Sequence, residues 1–394
     1  MDTPADLFAP TQAAALKRLD GFVPRAGVAY AQGRNHDRGT LRDNAVSALS
    51  PYIRTRALDE ISVARAVLSQ NTPAAAEPFL RELFWRTYWK GWMELRPTVW
   101  DTYQSDLNRL WDEIQTQSGL RQRWESACLG QTGIAAFDGW AQELGHTGYL
   151  HNHARMWFAS IWIFTLKLPW QLGADFFLRH LLDGDAAVNT LSWRWVAGIQ
   201  TRGKNYLAHA DNIAKFTGGR FKTTPGLVTD AAPVQAAEPP APGTLPALEA
   251  LTPQPRMGLL LHEDDVAPDH IYARDPGFVA QGWLQPEGGQ TPMEMAPMVE
   301  KFRSALARDC AKGPLDPLAP DALAGWAREQ KLDLIVAPYA PVGPTQSVLA
   351  GYTGPVPLFQ IRRPLDTAAW PLATRGFFPF RKHIPELLDR FVTS

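Results

Sequence analysis

A proline-rich stretch divides this sequence into two parts of different character. Residues 225–255 contain eight prolines with alanines between them. Because proline fixes φ and lacks an N–H donor, such a stretch forms neither helix nor strand. It predicts an extended, semi-rigid linker; a long surface loop inside one domain is the alternative, which the length disfavours. We therefore expect a first domain over residues 1–224 and a second over residues 256–394.

The first part is predicted to be all-helical. It holds twelve of the 15 tryptophans of the 394-residue chain, and its segments show helix-like apolar spacing with few glycines. These segments are Glu60–Leu68, Pro78–Arg96, Thr132–Leu144, His151–Leu168 and Ala174–Leu182.

The second part is predicted to be a small α/β (Rossmann-like) domain. Met257–Leu261, Leu332–Ala337 and Val356–Ile361 are short apolar runs typical of buried strands. The helical pattern of Asp321–Gln330 precedes the second run, which favours a parallel sheet with crossover helices.

Charge and cysteine content exclude several classes of protein. The 39 Lys and Arg residues nearly balance 40 Asp and Glu residues, so the chain is not a uniformly basic binder. Two cysteines cannot build a disulfide framework or a four-cysteine metal site. The opening MDTPADLFAP lacks the apolar region of a signal peptide, and no apolar run is long enough to span a bilayer. A cytoplasmic protein with no membrane partner is expected, with a monomer favoured.

One helical face combines charges with indoles. Glu82, Trp85, Arg86 and Trp89 follow the i, i+3, i+4, i+7 spacing. Because an unpaired buried charge is costly, this is not an ordinary core stripe. It indicates either a Glu82–Arg86 surface pair beside core tryptophans or the wall of an aromatic pocket for a planar ligand.

Three further segments hold polar residues in suggestive patterns. Asn152, Arg155 and Met156 share a helical face, whereas His151 and His153 are two positions apart and make a poor metal pair, so no metal is expected. Asp183-Gly-Asp185 precedes Asn189, Trp193 and Trp195; it could be only a helix stop followed by an N-cap. Ser47 and Ser50 precede Pro51, which indicates a helix start or a phosphate contact.

In their order along the chain, these segments resemble the FAD-binding helical domain of the photolyase/cryptochrome family. The resemblance covers about residues 20–221 and rests on ALSPYI, EPFLRELFWRTYW, TGYLHNHARM, WQLGADFFLRHLLDGDAAVN and SWRW. It is nearest to the cyclobutane pyrimidine dimer photolyases. It implies bound FAD as cofactor and UV-damaged DNA, with the lesion flipped out of the duplex, as partner.

The resemblance assigns cofactor-binding positions. Arg155 and Asp183 match the ion pair beside the flavin ring, and Asn189 matches the residue facing flavin N5. An amide there, in place of the aspartate of plant-type cryptochromes, favours repair. The full set implied for FAD is Tyr30, Ser47, Leu49, Ser50, Glu82, Arg86, Asn152, Arg155, Asp183, Asp185 and Asn189.

The resemblance also assigns the chemistry. Glu82 would hydrogen-bond the pyrimidine edge, and the implied substrate-binding residues are Trp85, Asn152, Met156, Trp195 and Arg34. With Glu82 and Asn189, a chain of tryptophans that passes electrons to the flavin completes the implied catalytic set: Trp193, Trp170 and Trp124. Core packing is the alternative for these three.

The domain order departs from the family. Most relatives carry an α/β antenna domain before the helical domain, whereas here an α/β segment follows the linker and its end, Trp370–Lys382, is vaguely similar to the end of that antenna domain. A relocated antenna domain is therefore expected, and its pigment stays open. Light-driven repair of pyrimidine dimers is the leading function, with a cryptochrome-like photoreceptor as the alternative.

Repair also requires cations around the mouth of the cavity. The residues expected there are Arg34, Arg38, Arg54, Arg56, His153, Arg194, Arg202 and Lys204.

Overall fold

A computed structural model describes residues 7–39, 41, 44–222, 224–248, 250–274, 277–285 and 292–393. The first six residues, on which the expectation about a signal peptide partly rests, lie outside the described residues. No helix within these ranges combines the length and the apolar character needed to cross a bilayer.

The chain begins with a helical region whose helix ends follow ordinary capping rules. The long helix α5 starts after Thr72, whose hydroxyl accepts from the backbone N–H of Ala75, and α11 starts after Asp185, which caps Val188. Helix α8 stops at Gly148, which adopts the left-handed conformation with φ 69°. The helices are α1 Gln12–Phe22, α2 Val28–Gly33, α3 Ser50–Arg54, α4 Glu60–Leu68, α5 Pro73–Glu94, α6 Thr98–Thr116, α7 Ser118–Leu129, α8 Ala135–Thr147, α9 Asn152–Ser160, α10 Trp170–His180, α11 Ala186–Val196 and α12 Ala210–Phe216, with a π-helical turn over Ile161–Thr165.

A parallel sheet of five strands follows, in the order β3-β2-β1-β4-β5. The central strands β1 and β4 are fully buried apolar runs, as expected for a sheet covered by helices on both faces. The elements are β1 Met257–Leu261, α13 Asp269–Tyr272, β2 Phe278–Leu284, α14 Pro297–Cys310, β3 Asp316–Leu318, α15 Leu323–Glu329, β4 Leu334–Pro338, α16 Pro344–Ala350, β5 Leu358–Ile361, α17 Pro364–Ala369, α18 Phe377–Arg381 and α19 Ile384–Leu388. The predicted order, a helical region and then a parallel α/β region, is confirmed.

The proline-rich stretch runs along the surface of the helical region. Its described residues form no helix or strand. Backbone hydrogen bonds fasten it: Val234 N–H donates to Ala197 (2.9 Å), and Gly243 N–H donates to Leu95 (2.8 Å). The stretch is therefore packed against the helical region. The domain boundaries at residues 224 and 255 stay predictions.

The two regions share buried contacts. Tyr52 of α3 packs against Phe302 of α14, with ring centroids 5.8 Å apart. Trp370, which follows α17, lies so close to Gly91 of α5 that a β-carbon at Gly91 would sit 2.7 Å from the Trp370 Cα. Glycine is thus required at position 91 by close approach of the backbone.

A buried ion pair anchors the chain after β5. The Arg363 guanidinium donates to both carboxylate oxygens of Asp265, at 2.6 and 2.8 Å. Burial alone would raise the pKa of Asp265, but Arg363 lowers it to about 2. The bidentate geometry compensates the cost of burying both charges.

We expect Arg363→Gln to lower the free energy of unfolding by about 3–5 kcal/mol, because Asp265 would be left buried without its counter-charge. Urea denaturation at pH 7 measures this. The matched control is Arg121→Gln in the exposed pair with Glu125, which should cost less than about 1 kcal/mol. Equal losses in the two variants would contradict the assignment.

The same pair predicts a pH dependence. Since the folded-state pKa of Asp265 lies below its usual 3.8, the contribution of the pair is present above about pH 4 and is lost as the pH falls towards about 2. The wild-type chain should lose stability over this window, and Arg363→Gln should show a shallower slope there.

Candidate functional site

One large cavity opens into the helical region. Its volume is about 1250 Å³, larger than the roughly 300–1,000 Å³ of ordinary small-molecule sites. It therefore has room for a large cofactor and a second ligand. Sixteen of the residues predicted to act at the site line it: Tyr30, Arg34, Ser47, Leu49, Ser50, Glu82, Trp85, Arg86, Asn152, Arg155, Met156, Asp183, Asp185, Asn189, Trp193 and Trp195.

The Asp183-Gly184-Asp185 turn between α10 and α11 supplies two buried carboxylates. Asp183 pairs with Arg155 of α9 at 2.9 Å. Burial alone would raise the pKa of Asp183, but Arg155 and a hydrogen bond from Ser50 lower it below its usual value. The Asp183 carboxyl is thus ionised at neutral pH and lies beside the guanidinium of Arg155.

Asp185 has a different set of partners. One of its oxygens caps α11 by accepting from Val188 N–H at 3.0 Å. The other lies 3.3 Å from the Lys90 ammonium and 3.5 Å from the Arg86 guanidinium. Burial alone would raise the pKa of Asp185, yet Lys90 and the neighbouring arginines lower it far below its usual value. The predicted N-cap role is therefore present together with a buried charge cluster.

Two arginines hold the turn in place. The carbonyl of Gly184 accepts from Arg54 Nε at 2.6 Å and from Arg303 Nη2 at 3.0 Å. A side chain at Gly184 would place its β-carbon 2.7 Å from the carbonyl oxygen of Leu178. Position 184 thus requires glycine, and the α/β region, through Arg303 of α14, fixes where the two carboxylates point.

The charged face of α5 is arranged differently from the predicted surface pair. Glu82 pairs with Arg34 at 2.7 Å and with Arg81 at 3.6 Å, while Arg86 turns towards Asp185. The alternative of a Glu82–Arg86 pair is therefore wrong. Glu82 lies at the half-exposed mouth of the cavity, whereas Arg86 lies deeper.

Trp85 and Trp195, the two predicted aromatic walls, both line the cavity, and another ring covers one face of Trp85. The indole of Trp85 stacks on Phe377, the first residue of α18, at a centroid distance of 3.6 Å and an interplanar angle of 12°. Trp195 stacks on Tyr206 at 5.8 Å. Phe377 is buried, but the adjacent Phe378 is 74% exposed at the mouth of the cavity. One face of Trp85 is thus occupied by the C-terminal part of the chain.

Asn189 is oriented by the backbone of α10. Its side-chain nitrogen donates to the Ala174 carbonyl at 2.7 Å. This bond leaves the side-chain oxygen, a hydrogen-bond acceptor, as the group that Asn189 offers to a ligand in the cavity.

The tryptophans of the predicted electron chain occupy three places. Trp193 lines the cavity and lies 6.2 Å from Trp162. Trp170 packs on Tyr103 at 5.6 Å, and Trp124 packs on Trp111 at 5.9 Å; neither lines the main cavity. The electron chain stays a prediction.

The predicted basic rim is only partly present. Arg34, His153 and Lys204 line the cavity, whereas Arg54 and Arg56 are buried in ion pairs with acidic residues of the α/β region and with Asp366. The expectation is wrong for these two. Arg38, Arg194 and Arg202 do not line the cavity.

The cavity lining carries more cations than carboxylates. Its six Lys and Arg residues are Arg34, Arg86, Arg96, Arg155, Lys204 and Arg375, and its three carboxylates are Glu82, Asp183 and Asp185.

The cavity wall contains polar atoms that need partners. Among the described residues, Asp183 Oδ1 and Trp193 Nε1 are buried and make no hydrogen bond, while Arg86 Nη1 and Asp185 Oδ2 have only ion-pair contacts. Because buried polar groups are normally satisfied, a polar cofactor such as FAD fits this wall.

No group of three metal-ligating side chains occurs in the described part of the chain. His151 is buried, and burial lowers its pKa to about 4, consistent with a neutral packing residue.

Comparison with known sequences finds similar proteins for the helical region that holds this cavity. The family "FAD binding domain of DNA photolyase" matches residues 79–217. The deoxyribodipyrimidine photo-lyase of Streptomyces griseus is 35% identical over 163 residues, which are 41% of this chain and 34% of that protein. That of Alkalihalophilus pseudofirmus is 31% identical over 188 residues, which are 48% of this chain and 38% of that protein. The chain thus matches less than half the length of these relatives.

Comparison with solved structures gives a weaker likeness. A bacterial class III photolyase from Agrobacterium tumefaciens matches with a TM-score of 0.43 and 24% identity, covering 54% of this chain and 44% of that chain.

Several site residues were not predicted from the sequence. Lys90 continues the i+4 spacing of Glu82 and Arg86, so the pattern on α5 contained a signal for it. Arg303 and Phe377 lie more than 100 residues from their partners in the helical region, and no local pattern marks them. Pro239–Pro242 of the proline-rich stretch also line the cavity.

Phe377 and Phe378 form a matched pair for a test of the cavity wall. We expect Phe377→Ala to lower the free energy of unfolding by about 3–5 kcal/mol, since a buried ring that stacks on Trp85 is lost. Phe378→Ala should change it by less than about 0.5 kcal/mol, because the ring is exposed. Thermal and urea denaturation measure both, and a small effect at Phe377 would mean that the segment is not anchored on Trp85.

Proposed function

We propose that this protein, whose residues 79–217 match the FAD-binding domain of DNA photolyase, uses blue light to split cyclobutane pyrimidine dimers in DNA. The observation that supports this most is convergence. Glu82, Trp85 and Trp195 line the same cavity as the Arg155–Asp183 pair and Asn189. A cofactor wall and an aromatic, acidic substrate wall thus face one space.

The chain's own residues would hold the cofactor at the inner end of the cavity. Bound FAD supplies a light-excited electron donor, which no side chain provides. Asn189 offers an acceptor oxygen, and the Arg155–Asp183 pair offers a fixed dipole beside it. Ser47, Leu49 and Ser50 line the wall before α3, where they would meet the phosphates.

The outer part of the cavity suits a flipped pyrimidine pair. The half-buried rings of Trp85 and Trp195 supply apolar surface for stacking. The Glu82 carboxylate can accept a hydrogen bond from a pyrimidine N–H, and Arg34 at 2.7 Å keeps the charge of Glu82 balanced. The excess of cations around the lining favours the phosphates of DNA. The electron that bound FAD would supply to the dimer would return to FAD after the ring opens, so the reaction would have no net oxidation or reduction.

We expect Glu82→Ala to reduce repair of dimer-containing oligonucleotides under blue light by about 10- to 100-fold, which corresponds to one lost hydrogen bond to a charged group. FAD content should remain normal. The control is Glu77→Ala on the same helix, which removes an acid paired with Arg81 and Arg381 outside the cavity and should repair at the wild-type rate. The proposal fails if photoreduced wild-type protein leaves the dimers intact.

One observation favours a second function, that of a light receptor that does not repair DNA. Phe377 covers one face of Trp85 and narrows the space for a lesion. A receptor would absorb light through the same cofactor and change its assembly or its partner binding.

The Phe377→Ala variant distinguishes the two functions when it is assayed below its own melting temperature. A repair enzyme should bind dimer-containing DNA at least as tightly when the face of Trp85 is uncovered, and should repair it. A receptor should repair nothing in either form, and size-exclusion profiles in the dark and under blue light should differ. Superimposable profiles together with repair would exclude the receptor.

A further inference from the structure

A second cleft lies between the start of α6, the start of α10 and the proline-rich stretch. Its volume is about 540 Å³, and residues 234–240 form one of its walls. That wall is fixed, because Val234 N–H donates to Ala197 at 2.9 Å and Asn205 donates to the Ala231 carbonyl at 2.9 Å.

Arg194 is the main feature of this cleft. It lies on α11, lines the cleft and is 8% exposed. Its Nε makes one long contact of 3.4 Å to Gln200, and no described residue accepts from its two terminal nitrogens. Burial lowers the pKa of Arg194 to about 10, with no acidic neighbour to oppose it. A buried guanidinium without a carboxylate normally has a ligand or partner.

The surroundings of Arg194 add positive potential. Helix α10 begins in the cleft with no side-chain cap and no acidic residue in its first turn, so its N–H groups and dipole favour an anion there. Lys167 also lines the cleft and has no carboxylate partner among the described residues.

The carboxylates of the cleft are already engaged. Asp106 lies 3.7 Å from Arg109 and accepts from Gln171 at 3.1 Å, and Glu238 pairs with Arg202. The cations at Arg194 and Lys167 are therefore not neutralised from within the cleft.

Much of the remaining lining is apolar, beside the polar residues Thr98, Thr102, Gln171 and Gln235. Val99, Ile163, Leu168, Ile199 and Val234 contribute side chains to it. A bare inorganic anion would leave this surface unfilled, whereas an anion with an apolar body would cover it.

We propose that this cleft binds a small organic anion, with its phosphate or carboxylate head at Arg194 and the start of α10 and its apolar body against the aliphatic wall. The site adjoins the main cavity, with which it shares Pro239 and Pro240, but the proposal does not rest on the proposed repair activity. It gives the proline-rich stretch a function, since this stretch closes the cleft.

The test is calorimetric titration of the full-length chain, with FAD in excess so that the main cavity is filled. The probes are phenyl phosphate, phenylacetate and inorganic phosphate. We expect one of the two aromatic anions to bind at least about tenfold more tightly than inorganic phosphate, because only they fill the apolar wall. The stronger of the two identifies the head group.

The variants locate the binding. Arg194→Gln should weaken the preferred probe by about tenfold or more, as expected for loss of a hydrogen bond to a charged group. Lys167→Gln changes an exposed side chain, so it should fold normally and weaken binding by a smaller factor. The matched control, Arg123→Gln on α7, removes the same charge from an exposed position outside the cleft and should bind like wild type.

Three results would overturn the proposal. The first is that neither aromatic anion binds. The second is binding that Arg194→Gln and Lys167→Gln leave unchanged while their melting temperatures match wild type. The third is that a short DNA duplex binds through Arg194 and the small anions do not, which would make the cleft part of a nucleic-acid surface.

Discussion

The geometry of the main cavity depends on one backbone carbonyl. Gly184 stands between Asp183 and Asp185 in the sequence. Its carbonyl oxygen accepts hydrogen bonds from Arg54 of the helical region and Arg303 of the α/β region. Both guanidiniums also bind Glu263, which follows β1, at 2.9 and 2.6 Å. Since a buried charge needs its full set of partners, neither arginine can move without disturbing the turn. The sheet and the cavity are thus linked through the segment after β1, in which Glu263 binds both arginines and Asp264 binds Arg54 at 2.8 Å.

The same contacts fill the crevice at the carboxyl ends of β1 and β4. In an open parallel sheet the strand order reverses between β1 and β4, and ligands usually bind beyond the carboxyl ends of such strands. Here that place is filled by protein: Glu263 after β1 binds the two arginines, and Tyr339 after β4 donates to Glu94 of α5 at 2.8 Å. Burial raises the pKa of Glu94 to about 7, although Glu94 also accepts a hydrogen bond from Val342 N–H at 2.6 Å. The described geometry favours a scaffold role for the α/β region at this edge, and an antenna pigment would need another location.

The sequence predicted what local spacing controls. The face of α5, the Asp183-Gly-Asp185 turn and the apolar strands β1, β4 and β5 are all visible as short-range patterns, and the structure contains each of them. Strands β2 and β3 were missed because β2 includes Gln281 and Gly282 and β3 has three residues, so neither shows the continuous apolar run of a buried strand. Arg54 and Arg56 looked like surface cations because a sequence does not show that acids more than 200 residues away will enclose them. Contacts formed at such separation are set by tertiary packing, which no local pattern encodes.

The concentration of tryptophan before residue 225 follows from the same packing. Indole rings form both the core and the cavity wall. Such a large ring packs closely against a neighbouring helix where that helix has a small residue. Gly173 of α10 shows this: a β-carbon there would come within 2.3 Å of the Trp193 ring and 2.9 Å of Trp162. The glycine lets α10 and α11 approach until Trp193 is pressed between α10 and the cavity. The indole nearest the cofactor wall is therefore held rigidly by its neighbours, and its position is set by the backbone of α10 as much as by its own helix. Fixed placement of this kind reduces the structural rearrangement that would accompany any change of charge at the site, so the packing that stabilises the fold would also serve the proposed chemistry.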